Sequence, residues 1–233
     1  MGTLMRAGFP AAWLAECARV VAAERERLTA LDAAIGDADH GANLDRGFAE
    51  VRRALAAAPE ADALVTAGTT LIRKVGGASG PLYGSLLRAM GAALGAQASP
   101  AEFAAAFTTG VEAVARLGRS AEGDKTMLDA LWPAARALTD ATGPQAPSGL
   151  PAPPGLSGSL EFPEISRLSA AEVFGRAATA ARAGAAATVP MLARKGRASY
   201  LGERSVGHED PGAASSALLV GALETVADEW GGG

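Results

Sequence analysis

Three aspartates lie close together in this sequence: Asp32, Asp37 and Asp39. Carboxylates crowded in this way repel one another unless a cation or hydrogen bonds compensate for their charge. Mg²⁺ is the simplest compensation, because it takes oxygen ligands and combines a few carboxylates with phosphate oxygens and water. A structural interpretation stays open, in which Asp37 ends one helix and Asn43 begins the next. The spacing matches neither an EF-hand, which needs a glutamate further along, nor a zinc site, since the chain has only two histidines.

Two further segments have the composition of phosphate-binding sites. Residues 75–81 contain three glycines, and a glycine-rich turn that opens a helix can bring backbone N–H groups close to a phosphate. Residues 193–213 contain three arginines and a lysine among glycines, and arginine binds phosphate oxygens through two parallel hydrogen bonds. Each segment also has a plainer interpretation: tight helix packing for the first and a solvated charge run for the second.

The segment at residues 118–126 nearly matches a P-loop, a phosphate-binding loop of many nucleotide-binding enzymes. Asp124 is the extra residue that breaks the pattern of a glycine, four residues and Gly-Lys-Thr. The preceding segment also has a helical pattern, whereas a P-loop follows a strand. We therefore reject a P-loop and predict that Asp124 is the N-cap of a helix.

The elements that must position these residues are predicted to be helices. Alanine, which has the highest intrinsic helix propensity, dominates the composition. Apolar residues recur at steps of three, four or seven, as in the first predicted helix at residues 10–35. Capping boxes at Ser99 with Glu102 and at Ser169 with Glu172 indicate further helix starts. Because no segment alternates with a period of two, we expect an all-α fold of eight helices in an antiparallel up-and-down bundle or barrel.

Charge and composition exclude several classes of function. The formal net charge is -4 without a basic stripe, which argues against nucleic-acid binding. The single cysteine cannot form an internal disulfide. No uncharged apolar run approaches the roughly 18 residues that a membrane span needs. We therefore expect a cytoplasmic protein that does not insert into a membrane.

The length of 233 residues suits a single domain spanning residues 1–233. Residues 140–167 are rich in proline, glycine and serine. This composition is typical of linkers, so we expect a disordered or mobile surface insertion there. Residues 195–212 are also glycine-rich but densely charged, which predicts a long ordered loop with a function.

Four segments, in this order, resemble the nucleotide-binding (ADP-binding) subunit or domain of dihydroxyacetone kinases. They are residues 35–41, 76–81, 123–127 and, most specifically, 193–213. The resemblance covers nearly the whole chain except the insertion at residues 140–167. It implies an eight-helix antiparallel barrel with the nucleotide site at one end.

The resemblance also implies roles for individual residues. Asp32, Asp37 and Asp39 would be the metal ligands, holding two Mg²⁺ ions. The other positions would contribute to the binding of ADP or ATP in three ways: by contacting the phosphates or ribose, by lining the adenine site, or by closing the pocket. They are His40, Gly41, Ala42, Asn43, Ala78, Ser79 and Arg197 at the phosphates or ribose, Gly118 and Met127 at the adenine, and Asp210, Pro211 and Gly212 at the closure.

The implied reaction is phosphoryl transfer from a magnesium-bound nucleotide to a small triose or ketose. In the family the sugar is held on a separate substrate-binding subunit or domain, so a partner is required. The subunit either keeps ADP and is recharged by a phosphocarrier of the phosphotransfer system, or uses ATP as the direct donor. The motifs do not separate these two modes, and they leave a homodimer open.

Two alternatives compete with this reading. The nucleotide-binding domain of fatty acid kinases carries a similar aspartate cluster. It differs in the arginine-containing segment at residues 193–213, here called the arginine loop, and residues 196–204 favour the dihydroxyacetone kinase branch. A non-catalytic, ADP-sensing regulatory protein would keep the same site without turnover, although a complete set of aspartates argues against an inactive site.

Overall fold

The structure, a computed structural model, describes residues 8–95, 98–143 and 168–230. These residues form nine α-helices and one 3-10 helix and contain no strand, so the all-α prediction is confirmed. Residues 144–167 of the predicted insertion lie outside the described part. The helices are α1 (Phe9–Ala23), α2 (Arg25–Ile35), α3 (His40–Ala57), α4 (Ala63–Lys74), α5 (Ser79–Ala93), α6 (Pro100–Gly118), α7 (Leu128–Thr142), α8 (Ala170–Ala187), the 3-10 helix (Arg197–Ser205) and α9 (Pro211–Trp230).

Local sequence sets several helix ends. Ser99 Oγ accepts a hydrogen bond from the Glu102 N–H at 3.2 Å, and the Glu102 carboxylate accepts one from the Ser99 N–H at 2.7 Å. Ser169 and Glu172 make the same pair of bonds at 3.2 and 2.7 Å. Both predicted capping boxes are therefore confirmed, at the starts of α6 and α8.

The single helix expected at residues 10–35 is instead two helices that meet at Glu24. The apolar period hides this break, because the buried residues Val21 and Leu28 lie seven positions apart on either side of it. The break lets α2 leave α1 and pack against α3, α9 and the 3-10 helix.

Eight of the nine described α-helices pack side by side in a closed ring. From α3 to α9 each helix contacts the next one along the chain, and α1 contacts both α9 and α3. Buried apolar side chains fill the interior of the ring. The remaining helix, α2, lies outside this ring and over one of its ends.

An aromatic cluster occupies the end of the ring where α6 begins. The ring of Phe103 makes edge-to-face contacts with Phe9, Trp13 and Phe174 at centroid distances of 6.0, 5.9 and 5.3 Å. Such pairs stabilise a core by about 0.5–1.5 kcal/mol beyond the burial of their area. Phe103 lies in the first turn of α6, so this cluster is at the N-terminal end of the helix and Gly118, its last residue, lies at the opposite end.

The contact between α1 and α9 includes a specific polar pair. The indole N–H of Trp13 donates a hydrogen bond of 2.8 Å to the Leu219 carbonyl. Cys17, one turn further along α1, is buried beside the same carbonyl. Burial raises the pKa of the Cys17 thiol well above its ordinary value.

In the described part of the chain, no helix has both the length and the apolar character needed to cross a bilayer.

Candidate functional site

The three aspartates come together at the junction of α2 and α3. Asp32 lies in the last turn of α2, and Asp37 and Asp39 lie in the connection that follows. One carboxylate oxygen of each residue lies within 4.8 Å of the other two. Asp32 is buried, whereas Asp37 and Asp39 are exposed. Three negative charges this close favour a bound divalent cation, and their oxygen atoms fit the preference of Mg²⁺.

Gly36 makes room for the carboxylate of Asp32. A β-carbon added to Gly36 would lie 1.9 Å from Asp32 Oδ1, far inside van der Waals contact. The other oxygen, Oδ2, accepts hydrogen bonds from the backbone N–H groups of Asp39 at 2.8 Å and His40 at 3.1 Å. Asp32 therefore caps the N-terminus of α3 as well as belonging to the acidic cluster.

The imidazole of His40 joins three helices beneath the aspartates. Its Nδ1 lies 3.1 Å from Ser79 Oγ at the start of α5, and its Nε2 lies 2.9 Å from Ser215 Oγ on α9. Burial lowers the pKa of His40, although Asp32 and the neighbouring aspartates oppose that shift. We infer that His40 is a positioning contact rather than a nucleophile.

Tyr83 extends this buried network. Its hydroxyl lies 2.6 Å from Ser215 Oγ and 2.9 Å from Ser216 Oγ, and it donates a 3.2 Å hydrogen bond to the Gly212 carbonyl. Burial raises the pKa of the Tyr83 phenol, which keeps the phenol protonated. The network holds the start of α9 against α5.

A pocket of about 370 Å³ opens beside the aspartates. Its lining includes the C-terminal ends of α2 and α6, the N-terminal ends of α3, α5 and α9, and part of the 3-10 helix. Three helix N-termini at one pocket favour an anion, because each helix N-terminus carries a partial positive charge. Leu82, Val114, Leu117 and Met127 give the same pocket an apolar wall, which suits a planar base.

The structure gathers all but three of the predicted site residues around this pocket. Lining residues among them are Asp32, Asp37, Asp39, His40, Ala78, Ser79, Gly118, Met127, Arg197, Asp210, Pro211 and Gly212. These residues lie up to 180 positions apart along the chain, so the fold and not the local sequence brings them together.

The other three predicted residues, Gly41, Ala42 and Asn43, do not line the pocket. A β-carbon on Gly41 would lie 2.1 Å from the Arg25 carbonyl oxygen, so this glycine allows α3 to pack closely on α2. Asn43 is buried, and its side-chain oxygen accepts a 2.7 Å hydrogen bond from Arg46. These contacts of Gly41 and Asn43 are therefore with residues of α2 and α3.

The arginine loop lines the same pocket as the start of α5, and its central part is a 3-10 helix between two turns. Arg197 Nη2 lies 3.0 Å from Asp37 Oδ2, so the predicted phosphate-binding arginine faces the acidic cluster. Ala193 and Ala198 pack against Ile35 at the end of α2 in a small apolar cluster. The sequence-based prediction of an ordered loop at residues 195–212 agrees with this arrangement.

The prediction that Asp124 caps a helix is wrong. Helix α7 begins four residues later, at Leu128, and Asp124 instead accepts a hydrogen bond from the Ala121 N–H at 2.9 Å. Asp129, in the first turn of α7, is the buried carboxylate that holds this turn. It accepts hydrogen bonds from the N–H groups of Gly123 at 2.6 Å and Thr126 at 2.7 Å.

Sequence reasoning also missed Lys125. This residue lines the pocket but is only 1% exposed, and its ammonium group donates hydrogen bonds to three backbone carbonyls. Burial lowers its pKa, while Asp210 opposes the shift. No local pattern could reveal the role of Lys125, because its partners lie 66 to 83 residues further along the chain.

Asp210 lines the pocket directly before the first residue of α9. Its Oδ2 accepts a 2.7 Å hydrogen bond from the Ala213 N–H, and its own N–H donates to Thr188 Oγ1 at 2.9 Å. Burial raises the pKa of the Asp210 carboxyl to about 7, and the nearby charge of Asp129 acts in the same direction.

Comparison with known proteins assigns the class. The model of the DAK2 domain matches residues 34–149 and 160–225, and the chain therefore belongs to the DAK2-domain family. The match includes the acidic cluster after Asp32, the glycine turn, the Lys125 turn and the arginine loop.

The particular relatives are named as dihydroxyacetone kinase subunits. One relative is the PEP-dependent dihydroxyacetone kinase, ADP-binding subunit DhaL, of Escherichia coli K12. The two sequences are 38% identical over an alignment that covers 93% of this chain and 95% of the relative. Another is the PTS-dependent dihydroxyacetone kinase, ADP-binding subunit DhaL, of Lactococcus lactis. It is 35% identical, and the alignment covers 89% of this chain and 91% of the relative.

A solved structure shares the fold. The native dihydroxyacetone kinase of C. freundii superposes with a TM-score of 0.64 over 93% of this chain, at 24% identity. This chain spans about a third of that kinase, 34% of its length. The same kinase is also known in complex with AMP-PNP and Mg²⁺, with a TM-score of 0.63 to this chain.

Proposed function

We propose that this chain is the nucleotide-binding subunit of a dihydroxyacetone-type kinase. It holds ADP or ATP through Mg²⁺ and donates a phosphoryl group to a small keto sugar on a partner subunit. Residues 1–233 then act as a single nucleotide-binding domain. The observation that carries the proposal is the meeting of three carboxylates, three helix N-termini and an apolar wall at one pocket.

The ligand expected from this geometry is a nucleotide with its phosphates towards the aspartates. Asp32, Asp37 and Asp39 would hold Mg²⁺, which neutralises charge on phosphate oxygens when it is bound. The N-terminus of α5 and the guanidinium of Arg197 would supply hydrogen bonds to the same phosphates. The base would lie on the apolar wall near Met127.

The residues of this chain contribute to phosphoryl transfer by positioning and charge. Phosphoryl transfer needs little covalent chemistry from the protein, so aligning the donor and stabilising its charge supply most of the rate. The acceptor sugar requires a second subunit, since the sites proposed on this chain are taken by the nucleotide and metal. The names of the E. coli and L. lactis relatives, which describe them as subunits, support a partner of this kind.

A resident ADP is the nucleotide state that we propose. Two relatives that match the chain over nearly their full length are named ADP-binding, one of them PEP-dependent and the other PTS-dependent. In that mode a phosphocarrier protein would rephosphorylate ADP in place. The nucleotide released when the purified protein is denatured tests this directly, and an empty site that takes ATP only with added magnesium would contradict it.

The metal assignment is tested with Asp37→Asn and Asp39→Asn. Each change removes one charged ligand but nearly preserves side-chain shape, so we expect ADP affinity in magnesium to fall at least tenfold with an unchanged helical signal. Asp140→Asn is the matched control, because Asp140 is exposed on α7 and does not line the pocket. Equal ADP affinity in all three variants and the wild type would refute the assignment.

Turnover separates a kinase subunit from an ADP sensor. The purified chain is mixed with a substrate-binding dihydroxyacetone kinase subunit, dihydroxyacetone, magnesium and a phosphoryl donor. The donor is either ATP or, with ADP present, the phosphorylated form of a phosphotransfer-system phosphocarrier. Formation of dihydroxyacetone phosphate supports the kinase. Tight ADP binding without phosphoryl transfer to any cognate partner would support the regulatory alternative.

A further inference from the structure

The ammonium group of Lys125 is enclosed by the loop that carries Arg197. Lys125 Nζ donates hydrogen bonds to the carbonyl oxygens of Met191 at 3.0 Å, Ser205 at 2.6 Å and His208 at 2.7 Å. The residue is 1% exposed. A charged group buried so completely is costly unless hydrogen bonds replace its lost water, and here the backbone of one loop supplies them.

These three bonds leave the ammonium group of Lys125 no free hydrogen for a ligand. An ammonium group has three hydrogens to donate, and each has an acceptor within the loop. Lys125 occupies a segment that resembles a P-loop, in which the lysine would bind a phosphate. In this chain the ammonium group is bonded to the loop backbone instead, so the hydrogen bonds of Lys125 act on the loop.

The three acceptors bracket the 3-10 helix. Met191 precedes it, Ser205 is its last residue and His208 follows it, so a single ammonium group joins both ends of the segment. Among the described residues the apolar cluster here is small: it joins Ile35 of α2 to Ala193 and Ala198 of the loop, with the partly buried Leu201 packed against them. The Arg194 N–H adds a 3.0 Å bond to the Asp124 carbonyl, next to Lys125. Polar contacts around Lys125 therefore provide much of the positioning.

The loop contributes positively charged side chains to the lining of the pocket. Lys195 and Arg197 line the pocket, and Arg197 lies 3.0 Å from Asp37. Both long side chains start from the segment that the ammonium group joins. If the backbone at residues 191–208 shifts, the guanidinium moves relative to the aspartates, and an arginine contact depends strongly on such geometry.

We propose that Lys125 is the positioning residue of this loop: by joining the carbonyl groups of Met191, Ser205 and His208, it fixes Arg197 at the rim of the pocket. The part that concerns phosphate binding by Arg197 rests on the proposed function. The anchoring of the loop does not, because it concerns contacts within the protein alone.

Hydrogen exchange of the ligand-free protein tests the anchoring. Lys125→Met keeps most of the stem and removes the donor group, and Lys74→Met is the control, since Lys74 is exposed at the end of α4. We expect amides of residues 191–208 to exchange at least tenfold faster in Lys125→Met, with the helices protected as in the control. Wild-type exchange in the loop, or equal acceleration throughout the helices, would overturn the proposal.

A double-mutant cycle with Arg197→Ala tests whether Lys125 acts through Arg197. We expect Lys125→Met alone to weaken ADP binding in magnesium about tenfold, the loss of one charge-assisted contact. In the Arg197→Ala background the same change should have little further effect, because the contact it positions is already gone. Losses that multiply in the double variant would show a general structural role and overturn the proposal.

Ser205→Ala provides a second route if Lys125→Met does not fold. Ser205 Oγ accepts a 3.0 Å bond from the Ala193 N–H and donates a 2.7 Å bond to the Gly202 carbonyl. Removing it loosens the same loop while Lys125 stays, and we expect ADP binding about fivefold weaker. A loosened loop with wild-type affinity would refute the positioning role. A wild-type protein that binds no ADP would refute the proposed function, while hydrogen exchange would still decide the anchoring.

Discussion

Gly36→Ala should weaken the proposed metal site without replacing any carboxylate. The new β-carbon would lie 1.9 Å from Asp32 Oδ1 and 2.9 Å from its Cγ, so the carboxylate must rotate away. That rotation breaks the bonds from Oδ2 to the N–H groups of Asp39 and His40. Loss of such a cap costs about 0.5–2 kcal/mol. For a chain of this length the melting temperature should fall by about 1–8 °C.

The effect on ligand binding should be larger than the effect on stability. A displaced Asp32 removes one of the proposed ligands and also its support of the α2–α3 connection. Loss of such support typically weakens metal binding about 10–100-fold, and we expect ADP affinity in magnesium to fall by a similar factor. Titration calorimetry with and without magnesium measures this loss, and thermal unfolding of the same sample measures the cap.

Gly221→Ala is the matched control for the same substitution. Its β-carbon would come no closer than 4.0 Å to Arg182, and Gly221 lies inside α9. Alanine there should stabilise the helix by about 0.5–1 kcal/mol and leave ADP binding unchanged. If Gly36→Ala binds ADP in magnesium as tightly as Gly221→Ala, the argument that Asp32 must keep this position is refuted.

Two further predictions concern stability. Burial raises the Asp210 pKa from 3.8 to about 7, so the folded chain binds a proton that the unfolded chain has released. The free energy of unfolding should therefore fall as the pH rises from about 4 to about 7, and Asp210→Asn should reduce this dependence on pH. Urea unfolding at several pH values measures it, and an equal pH dependence in the two proteins would contradict the prediction. Ser99→Ala removes the N-cap of α6 and should lower the free energy of unfolding by about 1 kcal/mol without changing ADP affinity. We expect the same of Ser169→Ala at α8, and unchanged melting temperatures would count against both predictions.

Local features of the fold were predictable because their partners are close in sequence. A capping box needs only Ser99 and Glu102, three residues apart, and such signals gave the starts of α6 and α8 correctly. The break at Glu24 was not predictable, since the apolar stripe continues across it and neither glycine nor proline interrupts residues 11–35. Tertiary packing of α2 against α3 and α9 sets that break instead.

The site was predictable in composition but not in its supporting contacts. The crowding of Asp37 and Asp39 is visible in the chain, and the resemblance of the remaining segments identified most pocket residues. Asp124 was misread because the carboxylate of Asp129, inside α7, competes for the backbone N–H groups of that turn. Lys125 was missed because a lysine in a loop has no sequence mark of complete burial.

The buried thiol of Cys17 makes the chain a ready background for site-specific labelling. Cys17 is the only cysteine and is 1% exposed, so a thiol-directed probe should leave it unmodified. Tyr200, on the 3-10 helix, is 89% exposed. A cysteine introduced there by Tyr200→Cys would be the single accessible thiol, and a spin label or fluorophore on it would report the motion of the arginine loop as the pocket fills.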